Sequence, residues 1–279
     1  MATSRSDPAP QAADARRMAT CDGRVEVDGH AIHWESRGDP HEPLVVFLHH
    51  GLGSAQAWHR QLDDFAAAGW QALAYDRWGY GASDARPALD LPDFATDLRD
   101  LIALLDSVGA QSAALVGHSD GGTIALRFAA DHPDRVTALV VVAAHIYVEP
   151  SMVPGMQALA DAFAGQGAFR RGLQRAHGEK YVSVFENWFG GWVQPKHLSW
   201  DMRPVLRRIT RPTLVIQGEL DEHARPQHAR DLADCIVGSA LWMIPEAGHM
   251  PAQDLPELFN PRVLDFLAPY RLAADSRPK

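Results

Sequence analysis

Cysteine is almost missing from this chain. Only Cys21 and Cys235 occur in 279 residues, with no CxxC pair and no histidine at ligand spacing. Neither a disulfide framework nor a metal site is therefore indicated, and a reducing compartment, the cytoplasm, is the expected location. Long apolar runs are also missing: nowhere do about 18 apolar residues follow one another, which argues against a membrane-spanning helix. Met1 to Thr20 is rich in Ala, Ser, Pro and Arg without the continuous apolar core of a secretory signal. Residues 1–22 are accordingly expected to form a flexible tail, and residues 271–279 a second one. Nor is there a Lys/Arg-rich run, and the formal net charge is −9 with histidines neutral. A nucleic-acid partner is not expected, and the negative field mildly favours neutral or cationic small molecules over polyanions.

What remains is the composition of a soluble globular protein, 46% apolar and 22% charged. Its length suits one large α/β domain with an insertion. Arg24–Asp28 and Ala31–Ser36 alternate polar and apolar residues about Asp28-Gly29, a hairpin signal. Leu44–Leu48, Gln71–Tyr75, Ala113–Val116, Thr137–Ala144, Thr213–Gln217 and Leu241–Ile244 read as buried strands. Helical patterns intervene at Gln61–Ala68, from Phe94 to Val108, from Asp120 to His132 and at Leu255–Leu267. Strand and helix alternate as a parallel sheet requires, and eight strands are expected. About 70 residues between two of these strands carry many aromatics but no clear strand, too long for a structureless loop. The expected division is a core at 23–144 and 212–270 with a helical cap at 145–211.

Gly117-His118-Ser119-Asp120-Gly121-Gly122 is a G-x-S-x-G between a predicted strand and a predicted helix. A sharp turn there strains the serine backbone, needs small residues on either side, and presents the hydroxyl at the sheet edge above a helix N-terminus. On its own such a motif can be a plain glycine turn. A serine nucleophile also needs a base and a group to hold that base. His249, after the last strand, and Asp221, after the preceding one, follow in the chain order Ser, Asp, His. Any of the 14 histidines taken singly is more often a surface or capping residue, and Glu219 and Glu222 share the loop of Asp221. Acyl transfer needs two backbone N–H donors for an oxyanion. Asp120 and Leu52, in the glycine-rich stretch His49–Ser54, are the candidates. Asp76–Ser83 reads as a structural loop in which Asp76 and Arg77 tie neighbouring loops together.

With these residues assembled, the chain resembles the α/β-hydrolase superfamily over about residues 24–270. Within it the chain is similar to the valacyclovir hydrolase (biphenyl hydrolase-like) branch, through Leu52-Gly53-Ser54, Ser119–Gly122, the Tyr181–His197 stretch with Trp188, and Gly218–Asp221. The resemblance implies an α/β-hydrolase fold and a small-molecule ester as substrate, and the triad chemistry implies no cofactor or metal. It further implies that Asp120 binds an α-ammonium group, so that amino-acid esters are preferred, with Trp188 as a second substrate-binding residue. Pairing of Asp120 with Arg77, His118 or a cap residue is the alternative. His49-His50 departs from the branch. Hydrolysis of a carbon–carbon bond in a ring-cleavage diketone uses the same triad, and a non-catalytic binding protein on this fold is a third reading.

Overall fold

The strand Leu44–Leu48 is buried along its whole length, and its side chains divide by parity between two cores. Val46 and Leu48 face one side of the sheet, Val45 and Phe47 the other. Leu73 and Leu115 continue the first set, Ala72, Ala74, Ala114 and Val116 the second. A sheet apolar on both faces must be covered on both, which is why helices alternate with strands throughout. The computed structural model describes residues 19–150, 152–197 and 199–271. The tails expected at either end lie almost wholly outside these.

In chain order, β1 (Thr20–Val27) and β2 (His30–Arg37) form the expected hairpin. Asp28 and Gly29 both have positive φ, 48° and 88°, as a two-residue turn of this type demands. The hairpin begins earlier than expected. Thr20–Asp22, assigned above to the tail, pair with Arg37, Ser36 and Glu35. Then come β3 (Leu44–Leu48), a 3-10 turn (Ala55–Trp58), α1 (His59–Ala67), β4 (Gln71–Tyr75), α2 (Ala95–Ser107), β5 (Ala113–His118), α3 (Asp120–Asp131) and β6 (Val136–Val142). Among the described residues four α-helices separate β6 from the next strand: α4 (Met152–Ala164), α5 (Ala168–His177), α6 (Tyr181–Trp192) and α7 (Arg203–Leu206). The chain ends with β7 (Thr213–Gly218), α8 (Pro226–Cys235), β8 (Ala240–Ile244), α9 (Pro251–Asp254) and α10 (Pro256–Leu267).

The eight strands lie in the order β1-β2-β4-β3-β5-β6-β7-β8, antiparallel at the β1-β2 and β2-β4 pairs and parallel elsewhere. On one face α1 and α10 close the sheet with Leu62, Phe65, Phe259 and Val263. Emptying the Leu62 site to alanine would cost about 2–5 kcal/mol. On the other face α2 and α3 pack with Leu101, Leu105, Ile124 and Phe128. The four-helix insertion answers the expectation of a cap, and no helix among the described residues is long and apolar enough to cross a membrane. Because the inner strands are parallel, the loops after β3, β5, β7 and β8 emerge along one edge, where ligands meet open α/β sheets.

Candidate active site

The turn from β5 into α3 brings two backbones close together. A Cβ on Gly117 would overlap the Gly121 carbonyl, and one on Gly121 would overlap the carbonyls of Leu48 and His49. Between them Ser119 sits at φ 54°, ψ −119°, its N–H donating to the Val142 carbonyl at 2.8 Å. A non-glycine residue in such a conformation stores of order 1–3 kcal/mol. The turn leaves Ser119 only 7% exposed, on the wall of a cavity of about 220 Å³.

Two further strand ends meet it. The loops after β7 and β8 touch where Gly218 lies under the carbonyls of Ala247 and Gly248, leaving no room for a Cβ. His249 Nδ1 lies 2.9 and 3.0 Å from the two oxygens of Asp221. A carboxylate only accepts, so Nδ1 carries the proton and Nε2 keeps its lone pair. Asp221 is held in turn by the N–H groups of His223 and Ala224, each at 2.8 Å, and by Gln217 Nε2 at 2.5 Å. Of the rival carboxylates, Glu222 receives only the His249 backbone N–H at 3.3 Å, and Glu219 is exposed. His118 donates from Nε2 to the His249 carbonyl at 2.8 Å and so pins the same loop. Burial, reinforced by His145 and His223, lowers the His249 pKa below its ordinary 6.5, while burial raises that of Asp221 against its backbone donors. Ser119 and His249 line one cavity, but no hydrogen bond joins the hydroxyl to the ring.

The turns after β3 and β5 each leave a backbone N–H unpaired at the cavity. No acceptor among the described residues takes the backbone N–H of Leu52 or of Asp120, and both residues border the cavity. Sequence reasoning missed what holds Leu52. His177, at the end of α5, is 3% exposed and accepts the Gly81 N–H on Nδ1 at 3.0 Å. That fixes the proton on Nε2, which donates to the Leu52 carbonyl at 3.1 Å. One cap histidine therefore bridges two core loops. Asp76 completes the frame by accepting the N–H groups of Ala55 and Ala82.

Asp120 is 2% exposed. Its Oδ2 receives the indole N–H of Trp188 at 3.1 Å and lies 3.6 Å from Arg77 Nη2. The Trp188 ring rests on Gly51, where any Cβ would collide with it. Of the alternatives the sequence left open, Arg77 and a cap residue are both realised, and His118 is engaged elsewhere. Burial raises the Asp120 pKa to about 6 even with Arg77 beside it.

The rest of the wall is Met152, Gly155, Met156, Leu159, Phe169 and Trp192 from the helices of the insertion, with His50, His145, Glu222, His223 and Met250 from the loops that follow strands. Despite these histidines, no three metal-binding side chains among the described residues are grouped to hold an ion. Residues 43–177 match the α/β hydrolase fold family. The chain is 30% identical to the serine hydrolase BPHL of Mus musculus, over 92% of this chain and 91% of that protein. It is 27% identical to the 2-hydroxy-6-oxo-6-phenylhexa-2,4-dienoate hydrolase of Burkholderia cepacia, over 80% of this chain and 87% of that one. The solved structure of Est816, described as an N-acyl homoserine lactone degrading enzyme, superposes with a TM-score of 0.69 at 26% identity, covering 88% of this chain and all of that one. With a likeness that runs nearly end to end in sequence and in fold, the chain belongs to the α/β-hydrolase family.

Proposed function

We propose that the protein is a serine hydrolase of small carboxylic esters, with Ser119 as nucleophile, His249 as general base and Asp221 as the group that orients the base. One observation carries the reading: both Asp221 oxygens hold His249 Nδ1, and the same cavity is lined by Ser119 on a left-handed turn. The lowered His249 pKa keeps the imidazole neutral near pH 7, the state a base needs. On substrate binding the Ser119 hydroxyl turns onto Nε2, a contact that often tightens only in the complex. As the oxygen attacks the acyl carbon its proton passes to Nε2, and the N–H groups of Leu52 and Asp120 receive the oxyanion. The alcohol leaves with that proton, and water then repeats the sequence on the acyl-enzyme.

The finer reading is an ester that bears an α-ammonium group beside Asp120. Its support is electrostatic. Burial raises the Asp120 pKa although Arg77 lies 3.6 Å away, so a second cation at the cavity wall would favour the carboxylate and be stabilised there. Ser119→Ala is expected to abolish hydrolysis of a p-nitrophenyl ester and labelling by a fluorophosphonate while leaving the circular dichroism spectrum unchanged. Retained turnover would overturn the assignment. Turnover of a ring-cleavage dienoate but of no ester would replace ester hydrolysis by carbon–carbon cleavage.

A further inference from the structure

Four residues of α4 face the cavity: Met152, Gly155, Met156 and Leu159. Their spacing, i, i+3, i+4, i+7, is one face of a helix. Three carry long apolar side chains and the fourth carries none. Gly155 stands in the first turn of α4, after Pro154, where glycine is still a poorer helix former than alanine, so its place in this stripe calls for a reason. The two usual ones do not apply. Gly155 lies in helical backbone without a positive φ, and a Cβ built on it would meet no atom within 4 Å. Gly51 and Gly191 differ, since a Cβ there would run into Trp188 and Leu91. What Gly155 supplies is empty space on the cavity wall.

We infer that Gly155 opens an apolar subsite that receives a branched or aromatic group of the substrate. The inference rests on the ester-hydrolase reading and names the class of ester. Met152, Met156 and Leu159 border the gap on its own helix, and Phe169 and Trp192 add to the same wall. None of the helix residues offers a charge or a hydrogen bond, so the group taken up is hydrocarbon. Methionine side chains adapt to its shape. Filling the gap from the helix removes this space, and the serine turn belongs to other elements, between β5 and α3.

The test uses Gly155→Ala and Gly155→Leu, both better helix formers than glycine, with melting curves to check folding. Two ester series are compared, p-nitrophenyl acetate against p-nitrophenyl phenylacetate for the acyl side and methyl acetate against benzyl acetate for the alcohol side. In one series, Gly155→Leu is expected to lower the ratio of kcat/KM for the phenyl-bearing ester to that for the small one by at least about tenfold, and Gly155→Ala by less. Ratios unchanged in both series, with the wild type active and labelled by a fluorophosphonate, would overturn this inference alone. A wild type that neither hydrolyses any ester nor labels would overturn the hydrolase reading and this inference with it.

Discussion

The loop after β7 carries three carboxylates, and converting each to its amide in turn separates their roles. In Asp221→Asn the retained oxygen stays with the N–H groups of His223 and Ala224, each 2.8 Å from Oδ1. The new NH2 then replaces Oδ2, 2.9 Å from His249 Nδ1. An amide NH2 only donates, so where it meets Nδ1 the ring proton moves to Nε2, where the base needs its lone pair, and the retained Oδ1, 3.0 Å from Nδ1, is left to its two backbone donors. In Ser-His-Asp hydrolases this wrong tautomer costs roughly 10⁴ in kcat, about 5 kcal/mol of transition-state stabilisation. The fold should survive it. Gln217 Nε2 would face the new NH2, but Gln217 Oε1 is buried without a partner among the described residues, so turning that amide over restores a bond. The net loss is the hydrogen bond from Gln217 to the Ala224 carbonyl, whose buried partners are left unpaired at a cost of about 1–3 kcal/mol each. Glu222 is 60% exposed and holds His249 only through its backbone N–H, and Glu219 is exposed. Their glutamine variants should stay within about 0.5 kcal/mol, a factor of two to three in rate. Ester turnover at neutral pH and a melting curve on each variant are sufficient. The reasoning fails if Asp221→Asn keeps more than about one hundredth of wild-type kcat, or if Glu222→Gln falls with it.

Because burial lowers the His249 pKa, kcat/KM for an uncharged ester should stay level as pH falls to 6.5 and decline only below it; a pH-rate midpoint above neutrality would contradict this. Asp120 loses its charge as pH falls through about 6, so preference for a cationic over a neutral ester should fall there, and Asp120→Asn should flatten that step. His177→Phe leaves the Gly81 N–H and the Leu52 carbonyl without partners, each costing about 1–3 kcal/mol if no water reaches it. Calorimetry should show the destabilisation, and kcat should fall more than KM changes if, as proposed, the Leu52 N–H serves the oxyanion of the transition state. Gly121→Ala drives a Cβ into the carbonyls of Leu48 and His49, which backbone cannot yield, and should cost about 3 kcal/mol or more in urea unfolding.

Strands buried on both faces announced themselves. Leu44–Leu48 has the bounds that its unbroken apolar run suggests, and Gln71–Tyr75 those expected of it, with Gln71 its one amide side chain. The start of β1 did not, because Thr20–Gly23 lies on the sheet edge with mainly exposed side chains and no alternation to read. Helix α8 carries a weak apolar signal for a related reason: its buried face consists of His228, Ala229 and Leu232, one strong apolar residue in three. At the site, motifs at strand ends could be read because a parallel sheet gathers those ends on one edge. His177 could not. Its partners lie 96 and 125 positions away, and nothing local distinguishes it from the other histidines.

Arg77 shows why the choice between substrate recognition and internal pairing at Asp120 was not a true alternative. Its guanidinium is fully buried, none of its three nitrogens has a hydrogen-bond partner among the described residues, and the Tyr80 ring lies 4.4 Å away. Asp97 and Asp120 balance it from 3.6 Å, near enough for charge and too far for a bond. Arg86 claims Asp97 at 2.9 Å, so Asp120 is the counter-ion that Arg77 shares least. Neutralising Asp120 therefore removes a possible ammonium partner and strips a buried cation of its nearest unshared anion at once. Loss of activity in Asp120→Asn alone would follow from either effect. Only the ratio between a cationic ester and its uncharged counterpart, taken on the same variant, isolates the part that belongs to the substrate.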